Sequence, residues 1–310
     1  MAKPTPVRGL GASTPMADAA RALVGARLAD FQRHLSKLGT RTDYDPDDVH
    51  DSRVASRRLR AALTLFGDGR RGKRADRMVR DLQDALGDVR DLQVQIRAFE
   101  KLGDREVTAL ERTALRHVRE HLGKQLPEKI EVLKTQVPRW GKRGVKTLGK
   151  LDQLSPKGKL GGHRLRDKLI AELEELELKV ITAEQDPSPA PMHELRKAVK
   201  RYRYSLELLE AAMPTEVGEI FASLVPLQDT LGTLHDTDVQ VELVDNHSGG
   251  STQGKDAVLR RLRADRDRKA QETVRALEVW EDEAVALRAQ VMLTTSPLKR
   301  GAGRRGADRR

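Results

Sequence analysis

The stretch His50-Asp-Ser-Arg53-Val-Ala-Ser-Arg57-Arg58-Leu-Arg60 returns, altered, as His193-Glu-Leu-Arg196-Lys197-Ala-Val-Lys200-Arg201-Tyr-Arg203. Each copy sets a His ahead of cations at +3, +7, +8 and +10. A second pair follows in the same order: Leu82-Gln-Asp-Ala-Leu-Gly87-Asp-Val-Arg90-Asp91, then Leu227-Gln-Asp-Thr-Leu-Gly232-Thr-Leu-His235-Asp236. The first pair is offset by 143 residues and the second by 145, which a two-residue indel accounts for. Two motifs recurring in fixed order at nearly one spacing mark a duplicated unit.

Outward from these blocks, apolar residues recur at helical spacing and no convincing period-two strand appears. Helices are expected near 17–38, 46–66, 71–102 and 105–136, and again near 161–185, 190–212, 215–246 and 255–292. Residues 137–160 carry Pro138, Pro156 and several glycines among many cations, and are expected to be a basic linker between the halves. Residues 1–16 are expected to be disordered, as is the basic tail 293–310. The fold class is therefore all-α: two tandem, pseudo-symmetric four-helix bundles, over 17–136 and 161–292.

The chain of 310 residues is long enough for two domain-sized cores. Its net charge is +11 and its pI about 9.9, a field that favours anionic partners: nucleic acid, an anionic surface or a phosphate polymer. With no cysteine, disulfides, thiol nucleophiles and thiolate metal sites are excluded. Two Trp, three Tyr and four Phe make a poor platform for stacking bases, so nucleic acid is the weaker anionic partner. No stretch approaches a membrane span, and Met1–Met16 lacks the apolar centre of an export signal. A cytoplasmic location is expected.

The repeated block carries the chemistry. With His50 at zero on a helical wheel, Arg53, Arg57 and Arg60 fall at about −60°, −20° and −80°, while Ala55, Leu59, Ala62 and Phe66 lie opposite. His193, Arg196, Lys200 and Arg203 form the second stripe, opposite Leu195, Ala198, Tyr202 and Leu206. Arg58 and Arg201 flank the two stripes. Neither stripe contains a carboxylate, and stacked like charges cost a few tenths of a kcal/mol per pair, about 0.2–0.5. A face held against that repulsion in both copies fits a polyanion better than it fits mere solubility. Arg supplies a planar fork for phosphoryl oxygens, Lys a compact charge, and His a donor whose protonated form phosphate favours.

These blocks, with the Leu-Gly-x-x-Arg/His-Asp motif, resemble the CHAD family, the conserved-histidine α-helical domain, over about residues 17–292. The resemblance implies two pseudo-symmetric four-helix bundles that bind inorganic polyphosphate at a central basic surface, without catalysis and without a cofactor, and that associate with polyphosphate granules. Carried over residue by residue, the site comprises His50, Arg53, Arg57, Arg58 and Arg60, then His193, Arg196, Lys200, Arg201 and Arg203. Arg90, His235 and Lys197 are additional candidates. Lys200 departs from the pattern, keeping the charge of Arg57 but not its bidentate geometry. Asp91 and Asp236 are expected to orient cations, and Gly87 and Gly232 to permit close helix–helix approach.

Three rival motifs are weaker. Glu175-Leu-Glu177-Leu-Lys179 matches a signature of triphosphate tunnel enzymes, but Leu165, Leu169, Leu173, Leu176 and Val180 keep it helical. His50-Asp51 and His235-Asp236 resemble the dyad of metal-dependent phosphohydrolases, yet His235 corresponds to Arg90, which cannot ligate a cation. His117 and His121, one turn apart, sit in a run of cations and read as an ordinary basic face. A metal-dependent polyphosphate phosphohydrolase and a basic nucleic-acid binder remain as alternatives. No metal site is expected, and the sequence leaves the oligomeric state open.

Overall fold

A computed structural model describes residues 3–39, 44–67, 69–148, 154–210, 214–247 and 249–294. For 142–148, 214–217, 219–220 and 281–294 it describes the backbone alone. Among the described residues the regular structure is eight helices and a single isolated bridge, Pro15 to Lys159. The first four are α1 (Met16–Gly39), α2 (Pro46–Phe66), α3 (Gly69–Gly103) and α4 (Ala109–Leu148). Their counterparts are α5 (His163–Gln185), α6 (Pro189–Leu209), α7 (Pro214–Asn246) and α8 (Thr252–Thr294). In the first half α2 packs on α1 and α3, and α4 on α3 and α1; α6 and α8 do the same with α5 and α7. The halves then meet through equivalent helices, α2 on α6 and α4 on α8. The fold is all-α, as the helical periodicity implies.

The ends of α2 follow from local chemistry. Asp45 caps it by accepting from the Asp47 N–H at 2.7 Å, Pro46 opens the first turn, and Asp47 and Asp48 complement the helix dipole. The turn into α3 is tight: a Cβ on Gly72 would lie 2.0 Å from the Gly67 carbonyl oxygen, so only glycine fits. Thus α2 stops at Phe66, and its basic stripe keeps one register over its whole length.

Two segments differ from expectation. Helix α4 runs past Val137, through Pro138, to Leu148, over ground expected to be linker. An internal proline costs roughly 3 kcal/mol, but burying Val137 and Trp140 returns about 1.5–3 kcal/mol each, and Trp140 meets Phe31 edge-on at 5.2 Å. Residues 3–15, expected to be disordered, are strapped to the bundle. Thr5 donates its N–H and hydroxyl to Asp30, and the buried Arg27 donates to the Thr5 carbonyl at 2.8 Å. Leu160 and Gly161 donate to Thr14 and Ala12. The buried ionic pair Arg27–Asp30 needs those partners, because unpaired polar groups are costly inside. Of the tail expected to be disordered over 293–310, residues 293 and 294 close helix α8, and the rest lies outside the described residues.

Instead of two separate cores, the main apolar cluster draws on both halves, from Phe31, Leu59 and Phe66 to Leu173, Tyr202 and Trp280. A smaller cluster joins the far ends, with Phe99, Leu115, Val118 and Leu122 against Val244, Val258 and Leu262. Buried Arg58 pairs with Glu207 at 2.8 Å between α2 and α6. Lys168 of α5 donates to the last carbonyls of α2, those of Thr64 and Leu65. These contacts bring the two basic helices together and hold them there.

Candidate anion-binding groove

Between α2 and α6 lies a groove of about 810 Å3. Arg53, Arg57 and Arg60 line it from α2, and His193, Arg196, Lys197, Lys200 and Arg201 from α6. His235 and Asp236 of α7, and Gln83, Asp84 and Asp91 of α3, complete the two sides. The cations differ in how they are balanced. Asp91 grips Arg53 through two bonds at 3.0 and 3.3 Å. Arg60 pairs with Asp76 at 2.8 Å, Arg201 with Glu175 at 2.5 Å and Lys197 with Glu194 at 2.5 Å. Among the described residues, Arg57, Arg196 and Lys200 have no carboxylate within ion-pair distance, and the buried Arg196 Nε has no hydrogen-bond partner. One of the three comes from the first half and two from the second.

Electrostatics bear the marks of an uncompensated cluster. Burial, with Arg196, Arg57 and Arg53 around it, lowers the Lys200 ammonium to about 6. Burial and Arg57 lower Arg53 to about 10 despite Asp91. Burial also lowers Arg196, with Arg57 adding to the effect and Asp236 opposing it. The His193 and His235 rings stack at 4.7 Å with their Nδ1 atoms 3.3 Å apart. Burial first, then Arg196, His193 and Lys200, drives His235 down to about 3. Burial and Lys197 likewise lower His193. Phosphate should favour protonated imidazole, but in the free protein the surroundings favour the neutral ring. An arriving anion would oppose that lowering.

Several residues of the repeated block face elsewhere. Arg58 is turned inward to Glu207 and serves the junction. Arg203 stacks over Phe221 at 5.1 Å and Tyr204 at 5.6 Å and does not line the groove. His50 does not line it either; Arg90, the counterpart of His235, lies in its electrostatic neighbourhood. Arg90 lines a separate hollow with Tyr44 and Gln93 and donates to the Pro46 carbonyl at 3.2 Å. The glycines also differ from expectation. A Cβ on Gly87 would sit 3.4 Å from Arg53 Nη2, so Gly87 makes room for a guanidinium; a Cβ on Gly232 would meet nothing within 4 Å.

Sequence reasoning passed over the α5 wall, where Glu172, Glu175 and Lys179 line the groove. Their spacing of three and four residues on one helical face is the signal that could have found them. Half-buried Glu172 has its carboxyl raised by desolvation. Glu175 and Lys179 belong to the tunnel-enzyme-like motif, which lies within helix α5. His117 and His121 of α4 are joined by His247 from the other half, whose ring lies 5.2 Å from that of His121. Among the described residues no group of three or more His, Cys, Asp or Glu side chains is placed to hold a metal ion, and no helix is long and apolar enough to cross a membrane.

The family model for the CHAD domain matches residues 22–245, which takes in both repeated blocks and the groove. The chain belongs to the CHAD family. Among solved structures it is similar to the CHAD domain from the plant Ricinus communis, at 20% identity and a TM-score of 0.63, over 94% of this chain and 97% of that one. It is also similar to PptA from Streptomyces chartreusis, at 14% identity and a TM-score of 0.59, over 87% of this chain and all (100%) of that one. At these identities the likeness is one of fold. No curated protein sequence matches the chain.

Proposed function

We propose that this CHAD protein binds inorganic polyphosphate in the groove between α2 and α6, that it does so without hydrolysing it, and that this binding holds it on polyphosphate granules. The observation that carries the reading is the trio Arg57, Arg196 and Lys200, drawn from both halves, without a carboxylate partner among the described residues, and crowded closely enough in a half-buried groove to disfavour the Lys200 charge. A globular protein gains nothing from such a cluster unless an anion joins it. The flanking cations, each already held by a carboxylate, extend the positive surface to either side. A linear polymer of phosphates can touch both stripes at once and reach the flanking cations as well.

Titration with long-chain polyphosphate at fixed salt, with duplex DNA as competitor, tests the reading. Polyphosphate should bind more tightly than DNA, and Arg57→Glu together with Lys200→Glu should abolish binding. Tighter binding of DNA, or full polyphosphate binding by that variant, would overturn it. Release of phosphate from the polymer in the presence of magnesium, manganese or zinc, lost in Asp236→Ala, would favour the hydrolase alternative.

A further inference from the structure

The first turns of α3 read Gly69-Arg-Arg-Gly-Lys73-Arg74-Ala-Asp76-Arg77-Met-Val-Arg80, a run of six cations and one carboxylate. Arg70, Lys73, Arg74 and Arg77 are all exposed, and among the described residues none has an ion-pair partner. The duplication supplies an internal control. At the offset of 145 the same helical positions of α7 hold Thr215, Gly218, Glu219 and Ala222, with no cation from 215 to 225. The fold therefore does not require the charge. Local energetics oppose it as well: no acidic residue sits in the first turn of α3, so cations crowd the positive end of the helix dipole. They also stand three and four residues apart from one another.

The patch is continuous with the groove. Asp76 bridges the two, its oxygens taking Arg60 Nε at 2.8 Å on the groove side and Arg80 Nη2 at 3.0 Å on the α3 side. The opposite end of the groove is different. There His193 and His235 are shared with a second pocket of about 1040 Å3, whose walls carry Glu194, Asp238, Glu242, Asp245 and Asp267 against Lys179, Arg263 and Arg266. That end carries more carboxylates than Lys and Arg side chains, whereas the start of α3 carries six cations against one carboxylate.

We infer that an anionic phosphate polymer longer than the groove leaves it in one direction, over the first turns of α3, and is held there by Arg70, Lys73, Arg74 and Arg77. This rests on the groove's binding polyphosphate. The patch is an extension site that adds affinity only for long chains, through solvent-exposed charge contacts.

Arg70, Lys73, Arg74 and Arg77 are replaced together by Gln in the full chain, with thermal melting to confirm the fold. Removing these cations from a helix start should not destabilise it. Affinity for tripolyphosphate, short enough for the groove, should stay within about twofold, while affinity for long-chain polyphosphate at low salt should fall at least about tenfold. The slope of log affinity against log salt for the long chain should shrink by about 0.7 for each phosphate no longer neutralised, as for single-stranded nucleic acids. If the variant loses affinity for both ligands in equal proportion, or for neither, the extension site is refuted while groove binding stands. A wild-type protein that binds neither ligand refutes the groove reading instead. A variant that loses DNA binding but keeps all its long-chain polyphosphate affinity assigns the patch to nucleic acid and overturns the proposal.

Discussion

Lowering the pH should tighten polyphosphate binding, and Lys200 sets the size of the effect. Its ammonium sits at about 6 in the free protein because it is buried beside Arg196, Arg57 and Arg53, with Asp236 opposing them. At pH 7 about nine-tenths of the free protein therefore carries a neutral Lys200. A polyanion in the groove favours the ammonium, so the complex holds a proton that the free protein lacks. The sign follows: a group whose proton is held more tightly in the complex gives full affinity below its free value and loses it as pH rises. If the complex keeps Lys200 charged throughout, the binding constant falls about 50-fold from pH 6 to pH 8. Internal phosphates of a long chain stay ionised over that range, so the slope belongs to the protein. Calorimetry at pH 7 in two buffers of different ionisation enthalpy should count about 0.9 proton taken up at Lys200 per complex. Lys200→Arg, charged at every accessible pH, should abolish that share; whatever remains belongs to His193 and His235, both neutralised by their surroundings. A wild-type affinity that is flat from pH 6 to 8, with no proton uptake, would mean that Lys200 is already charged in the free protein, and the picture of a frustrated trio would fail.

Two further outcomes test the frame around the groove. Arg58→Met should cost about 3–5 kcal/mol in denaturant unfolding, because it strands the buried Glu207 carboxylate, whereas adding Glu207→Leu should recover most of it; a single-variant cost below about 1 kcal/mol would mean that the pair is effectively solvated. Gly232→Ala, which meets open space inside a helix, should stabilise by up to about 1 kcal/mol, whereas Gly87→Ala should gain less and weaken polyphosphate binding as Arg53 shifts. Equal stabilisation by both, with binding unchanged, would show that Arg53 is not seated against Gly87.

The duplication, the helix class and the direction of each basic stripe were legible because they depend on spacing along one helix. What spacing cannot give is where the partner helix lies. Arg57 and Arg58 look alike in sequence, but about 100° of rotation sends one into the groove and the other into the junction with Glu207. Arg203 occupies the place in its repeat that Arg60 holds in the first, yet Tyr204 and Phe221 take its guanidinium. His50 and His193 match in sequence, yet His193 lines the groove beside His235 while His50 lies outside it, near Arg90. Where proline and glycine content suggested a linker from 137 and residues 1–16 were expected to be disordered, buried Trp140 and the Arg27–Asp30 pair overrode local preference.

Duplication also explains why the site exists at all. When a unit is copied and the copies pack through equivalent helices, a basic stripe on that helix meets its own likeness. Such a junction is unfavourable on charge alone, so other contacts must hold it closed. Here those contacts are the shared apolar core, the second cluster between α4 and α8, and the buried Arg58–Glu207 pair. The carboxylates quench the cations at the edges and leave the three at the centre exposed to one another. Stability is therefore invested around the groove and withheld within it, the pattern expected where a local rule is broken for the sake of a ligand. It follows that neutralising the trio should stabilise the free protein while it abolishes binding. A bound polyanion should stabilise the wild type and leave the neutralised variant unchanged.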